Sequence, residues 1–129
     1  LSLIKADFNA YAGLGFEILS KELLAKYLNL EISQISSFWN KEVEIDIYAK
    51  FESFCVAGEC KYKERKISKN VLNELILKCE KAHLAPDLLA LFSKSGFSGE
   101  LQNLKSDKIL LFSLEDFKIL LALHIYREF

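Results

Sequence analysis

Asp46, Glu59 and Lys61 are the residues whose type and spacing could do chemistry, all within the stretch VEIDIYAKFESFCVAGECK from Val43 to Lys61. They stand inside two runs that otherwise read as buried β-strand, where an ionised side chain is rare unless it is paired or binds a metal. The two runs flank Glu52-Ser53. Taken as a symmetric hairpin turn, that pair makes facing residue numbers sum to 105, so Phe51 meets Phe54, Ile47 meets Gly58 and Asp46 meets Glu59. Directly opposed residues hold their Cβ atoms about 4.5–5.5 Å apart on one side of the sheet. Lys61, two residues beyond Glu59, falls on that same side. Opposed carboxylates repel, and either a divalent cation or a proton held at a raised pKa would offset the repulsion. The same register sets Glu44 opposite Lys61, as a structural partner rather than a catalyst.

Glu17 is a further candidate. The pattern from about Asp7 to Leu28 is helical, with Phe16, Leu19, Leu23, Leu24 and Tyr27 on one apolar face. Glu17 falls at the border of that face, between Leu24 and Leu28, and so points along the sheet rather than into bulk water. An acid there could complete an oxygen-ligand set suited to magnesium or manganese.

These residues need elements to position them. Ile32 to Trp39 reads as a strand, Asn40-Lys41 as a turn, and Val43 to Phe51 alternates strictly, with Val43, Ile45, Ile47, Ala49 and Phe51 on one face. A third strand runs from Phe54 to Tyr62, followed by the basic loop KYKERKIS and a helix over 69–82 with Ser68 as its N-cap. Pro86 precedes a short apolar strand, Leu88 to Phe92. A loop with one helical turn leads to a last strand, Lys108 to Phe112, and Ser113 caps a final helix. The order α-β-β-β-α-β-β-α describes an α/β fold, a mixed five-stranded sheet flanked by helices.

Composition sets the frame. A chain of 129 residues with 51% hydrophobic and 27% charged residues is one domain with a sizeable core. No apolar run approaches the ~18 residues of a membrane span. Cys55, Cys60 and Cys79 lack metal-ligand spacing and read as small core residues of a reducing, cytoplasmic protein. Trp39 and the ten phenylalanines read as core or interdomain packing, while His83 and His124 stand alone. A net charge of −1 speaks against bulk nucleic-acid binding by the whole surface. The start at Leu1 and the lack of methionine suggest a piece of a longer protein, and both chain ends are apolar enough to pack against another module.

An Asp on one strand, Glu-x-Lys on the next and a helical Glu upstream resemble the PD-(D/E)XK nuclease superfamily. More narrowly, GLGFE (13–17), FWNKEVEIDIYA (38–49), GECK (58–61), LFSKSGFS (91–98) and LFSLEDF (111–117) resemble the uncharacterised C-terminal domain of archaeal-type P-loop ATPases. Ile45 stands where the superfamily has proline, and the glutamine–tyrosine pair of some members has no clear match. The resemblance implies a restriction-endonuclease-like core and a metal-dependent nuclease acting on DNA. It implies that Asp46, Glu59 and the Cys60 backbone carbonyl hold Mg2+ or Mn2+, that Lys61 orients or deprotonates the attacking water, and that Glu17 binds metal or water at one remove. Lys63, Arg65, Lys66 and Lys69 would contact phosphates. The partners implied are DNA and an N-terminal ATPase and winged-helix module of the same polypeptide, with self-association left open. No G-x-x-x-x-G-K-[ST] occurs, so ATP hydrolysis belongs to that other module. The alternative is a catalytically inactive nuclease fold that serves the ATPase as a DNA- or protein-binding module.

Overall fold

The chain is described by a computed structural model over residues 12–127. The expected helix start at Asp7 and the apolar opening stretch lie outside those residues, as do the side chain of His124 and the chain end after Arg127.

Helix α1 (Ala12–Leu28) opens the described chain. It stops at Asn29, which takes the left-handed φ of 57° while Leu30 N–H reaches back to the Ala25 carbonyl at 2.8 Å. The expected strand over 32–39 is divided: Ile32–Gln34 is a 3-10 turn and only β1 (Ser36–Trp39) is extended. Gln34 reaches back to the Glu31 N–H at 3.0 Å, a local cap that competes with the strand. The Asn40 side chain then closes the turn by accepting from Glu42 N and Val43 N. Strands β2 (Glu44–Phe51) and β3 (Phe54–Lys61) form the expected hairpin, with Glu52 at φ 52° in its two-residue turn. Helix α2 (Lys69–Lys81) carries Ser68 as N-cap, and His83 ends it at φ 57°, a conformational role for that histidine. β4 (Leu88–Ser93), the short α3 (Gly99–Gln102), β5 (Ile109–Ser113) and α4 (Leu114–Arg127) complete the order.

The five strands lie in chain order, β1-β2-β3-β4-β5, the first three antiparallel and the last three parallel. This is the mixed, helix-flanked sheet that the sequence pattern describes. Both faces are covered. One side packs against α1 and α4 through Phe16, Leu24 and Phe117, the other against α2 and α3 through Leu72, Leu75 and Leu101. β4 is therefore an almost unbroken apolar run, as a strand buried on both faces must be. Gly58 sits against Ala90 of β4, where a Cβ would meet the Ala90 carbonyl oxygen at 2.8 Å.

Strict alternation along β2 does not hold. Ile47 packs on the α1 side and Ile45 on the α2 side, although a straight strand would put them together. The register gives the cause. Ser36 pairs with Tyr48 and Phe38 with Ile45, so the single residue Ser37 faces both Asp46 and Ile47. That extra residue is a β-bulge, and it inverts the sidedness of everything before it.

Candidate functional site

The β2–β3 ladder runs from Phe51↔Phe54 to Ile47↔Gly58, the expected register, and ends there. At the bulge the strands part, and Asp46 occupies the fork. Cys60 N–H, left without a ladder partner, donates to Asp46 Oδ2 at 3.0 Å. A side-chain carboxylate thus replaces a backbone carbonyl as acceptor. A strand residue's N–H and C=O point the same way, so the Cys60 carbonyl opens into the same gap. The matching inference for Lys61, whose carbonyl faces β4, agrees with its acceptance from Lys94 N–H at 3.1 Å.

Glu59 is 4% exposed, an ionisable side chain at core depth. Its carboxyl is pushed up to about 7, first by burial and then by the Asp46 carboxylate against it. Lys78 of α2 opposes this from 2.7 Å on Oε1 without cancelling it. Lys78 was not among the residues expected at the site. Its sequence signal is faint: it sits beside the buried α2 stripe of Leu72, Leu75 and Cys79, one position before the last of them.

Lys61 follows Glu59 by two residues, on the same side of β3, and is half-buried. Among the described residues its side chain makes no ion pair or hydrogen bond. The expected pairing with Glu44 does not form: β2 has already left β3, and Glu44 is exposed opposite Trp39 on β1. Trp39 itself is 77% exposed and so is no part of this domain's core. Glu17 lies one hydroxyl away from the fork. Its Oε1 accepts from Ser37 Oγ at 3.2 Å, pairs with Lys21 at 3.6 Å, and meets Asp46 only through Ser37, whose Oγ also lies 2.9 Å from the Asp46 backbone carbonyl. Around Cys60 the thiol is pushed up by burial, with Ser20 pulling the other way and Asp46, Glu17 and Glu59 adding to the rise. It is no nucleophile.

The basic loop is held in place. Ile67 and Phe97 form a parallel bridge, Ser95 Oγ donates to the Lys63 carbonyl, and Lys94 pairs with Glu64 and covers the Tyr62 ring at 4.6 Å. Lys69 pairs with Glu100 at 3.7 Å. Lys63, Arg65 and Lys66 are exposed and make no ion pair among the described residues. They stand just past the C-terminal end of β3, beside Lys61.

The donors suit a hard divalent cation in kind: two neighbouring carboxylates and a strand carbonyl at one gap. No group of three or more His, Cys, Asp or Glu side chains converges among the described residues. A cation here would therefore rest on Asp46, Glu59, the Cys60 carbonyl and water, a set that magnesium, which keeps several waters, accepts. No helix among the described residues is long and apolar enough to cross a membrane.

No curated protein matches the chain. The crystal structure of a protein of unknown function, AF1548, is similar at 18% identity and a TM-score of 0.48, over 75% of this chain and 58% of that one. The chain thus spans just over half the length of that protein. The family described as archaea bacterial proteins of unknown function, DUF234, matches residues 1–75, more than half of the sequence, and the chain belongs to that family.

Proposed function

We propose that this domain is a metal-dependent nuclease that hydrolyses DNA phosphodiester bonds, as one module of a longer ATPase polypeptide. The observation that carries the reading is Asp46, held by Cys60 N–H at the β2–β3 fork, raising the proton affinity of the buried Glu59, with Lys61 beside them and without an ion pair among the described residues. A structural charge ladder would pair Lys61 with one of these acids. The ATPase context rests on the resemblance of the five sequence stretches alone.

In this reading Asp46, Glu59 and the Cys60 carbonyl would hold Mg2+ or Mn2+, which when bound would lower the pKa of a water and offset phosphate charge. Lys61 would orient the attacking water as an ammonium, or take its proton only as the neutral amine; the ammonium form would also offset charge building on a phosphate oxygen. Lys63, Arg65 and Lys66 meet the phosphates that flank the scissile one. Glu17 acts through Ser37, which it and the Asp46 backbone share.

A second reading has its own support. Lys78 already pairs with Glu59, and the net charge is −1, so a nuclease fold retained as an interaction module accounts for both. The deciding assay is Mg2+- or Mn2+-dependent cleavage of single-stranded, duplex, nicked and branched DNA. Cleavage by the wild type and none by Asp46→Ala supports the nuclease. Metal-dependent binding without cleavage selects the module.

A further inference from the structure

The Lys78–Glu59 contact joins two elements that the nuclease pattern does not connect. Lys78 comes from α2, whose buried face (Leu72, Leu75, Cys79) fixes where its side chain starts. Its Nζ reaches Glu59 Oε1 at 2.7 Å, and the Glu59 side chain is 5% exposed while that of Lys78 is 34% exposed. The ammonium therefore stands at the mouth and the carboxylate at the bottom. Lys78 also lines a cleft of about 440 Å³ with Glu42, Glu44, Glu74 and Lys81. Glu74 lies one helical turn before it and offers the ammonium a second partner in the favourable i,i+4 order.

Charge decides what else fits. Asp46 and Glu59 supply two negative charges when ionised, and Lys78 returns one positive charge. A single divalent ion brings the group to a net positive charge of one. A second would bring it to three, and would have to take Glu59 Oε1 from Lys78. We propose that Lys78 is the second cation of the site: a tethered ammonium that positions the Glu59 carboxylate and limits the fork to one divalent ion. Lys61, which has no ion pair among the described residues, is then left for water and substrate. This division of labour between the two lysines rests on the nuclease reading above.

The test is Mn2+ binding to the full chain without DNA, followed by the loss of the free-ion paramagnetic resonance signal and by calorimetry. Wild type is expected to bind one equivalent, and Asp46→Ala none. Lys78→Met, which keeps length and loses charge, is expected to bind a second equivalent or to bind the first on the order of tenfold more tightly. A residue that merely tied α2 to the sheet would give weaker binding on removal, not tighter. Lys78→Arg keeps the charge and grips both Glu59 oxygens, so it is expected to weaken Mn2+ binding, and it covers the case in which Lys78→Met does not fold. Two equivalents in wild type, or unchanged affinity and stoichiometry in both Lys78 variants, overturns the role of Lys78 and leaves the nuclease reading standing. No Mn2+ binding by wild type together with no cleavage removes both.

Discussion

Glu59 on β3 and Lys78 on α2 meet at 2.7 Å, and the carboxylate keeps a raised proton affinity in spite of it. Burial outweighs the ammonium. The sign of the resulting pH dependence follows. The folded-state pKa of about 7 lies above the ordinary 4.5, so the folded chain holds a proton that the unfolded chain has released. Stability from this group is complete below the unfolded value and is lost as pH rises through 7. The full shift corresponds to about 3 kcal/mol. Urea melts of the metal-free protein should show stability falling between about pH 5 and pH 8, and Glu59→Gln should flatten that slope. A wild-type slope of the opposite sign would place the carboxylate in a charged, well-paired state instead.

Asp46 has two functions that substitution can separate. Asn keeps an oxygen that accepts from Cys60 N–H and removes the charge against Glu59, so the metal-free Asp46→Asn protein should melt no lower than wild type. Ala leaves the Cys60 N–H unsatisfied and should cost about 1–3 kcal/mol. Both variants should lose any rise in melting temperature that millimolar Mn2+ gives wild type. Equal melting of Asn and Ala variants would mean that the hydrogen bond contributes nothing.

Lys61 should behave as a functional residue does. With no ion pair to lose, Lys61→Ala should change stability by less than about 0.5 kcal/mol in denaturant melts. DNA cleavage should fall by roughly 10²–10⁴-fold, the scale of a lost general base or proton-holding group. A large loss of stability with normal cleavage would reverse the assignment.

The exposed cations Lys63, Arg65 and Lys66 should contribute counterion release without sequence preference. Replacing all three by Ala should lower the slope of log K against log salt on duplex DNA by up to about 3 units, at roughly 0.9 per lost phosphate contact. Fluorescence anisotropy at several salt concentrations reads this directly, and an unchanged slope would leave the loop as a solvated face.

The hairpin was legible because its register depends on a local turn, and Phe51-Glu52-Ser53-Phe54 leaves little choice. The bulge was not. The run from Val43 to Phe51 suits a straight strand, and the extra residue shows only against β1, where Ser37 must face two partners. Lys78 was hidden for a related reason: where a helix side chain lands depends on how the helix lies across the sheet, and a stripe of Leu72, Leu75 and Cys79 does not encode that angle. The Ile32 turn lost its strand to a side-chain cap from Gln34, which competes with extension over only a few residues. Tyr27, placed by the helical wheel on the buried stripe, is 58% exposed, although its ring meets Phe112 of β5 edge-on with centroids 5.6 Å apart.

The bulge at Asp46 and Ile47 also ties the carboxylate pocket to the length of β2. Removing Asp46 would restore a plain two-residue repeat and leave the preceding segment on the faces it already has, with Ser37 opposite Ile47 and Phe38 still opposite Ile45. Ile45 would stay buried on the α2 side and Glu44 exposed, but the Asp46 carboxylate would be gone. The fork would close by continued ladder pairing, and the Cys60 N–H would return to a backbone acceptor. A frame-preserving deletion of a single codon here would thus erase the carboxylate pocket while leaving every other strand in register. Single-residue substitutions at neighbouring positions would do far less. One residue of length in β2 thus carries the pocket, while the layers around it are indifferent to that residue.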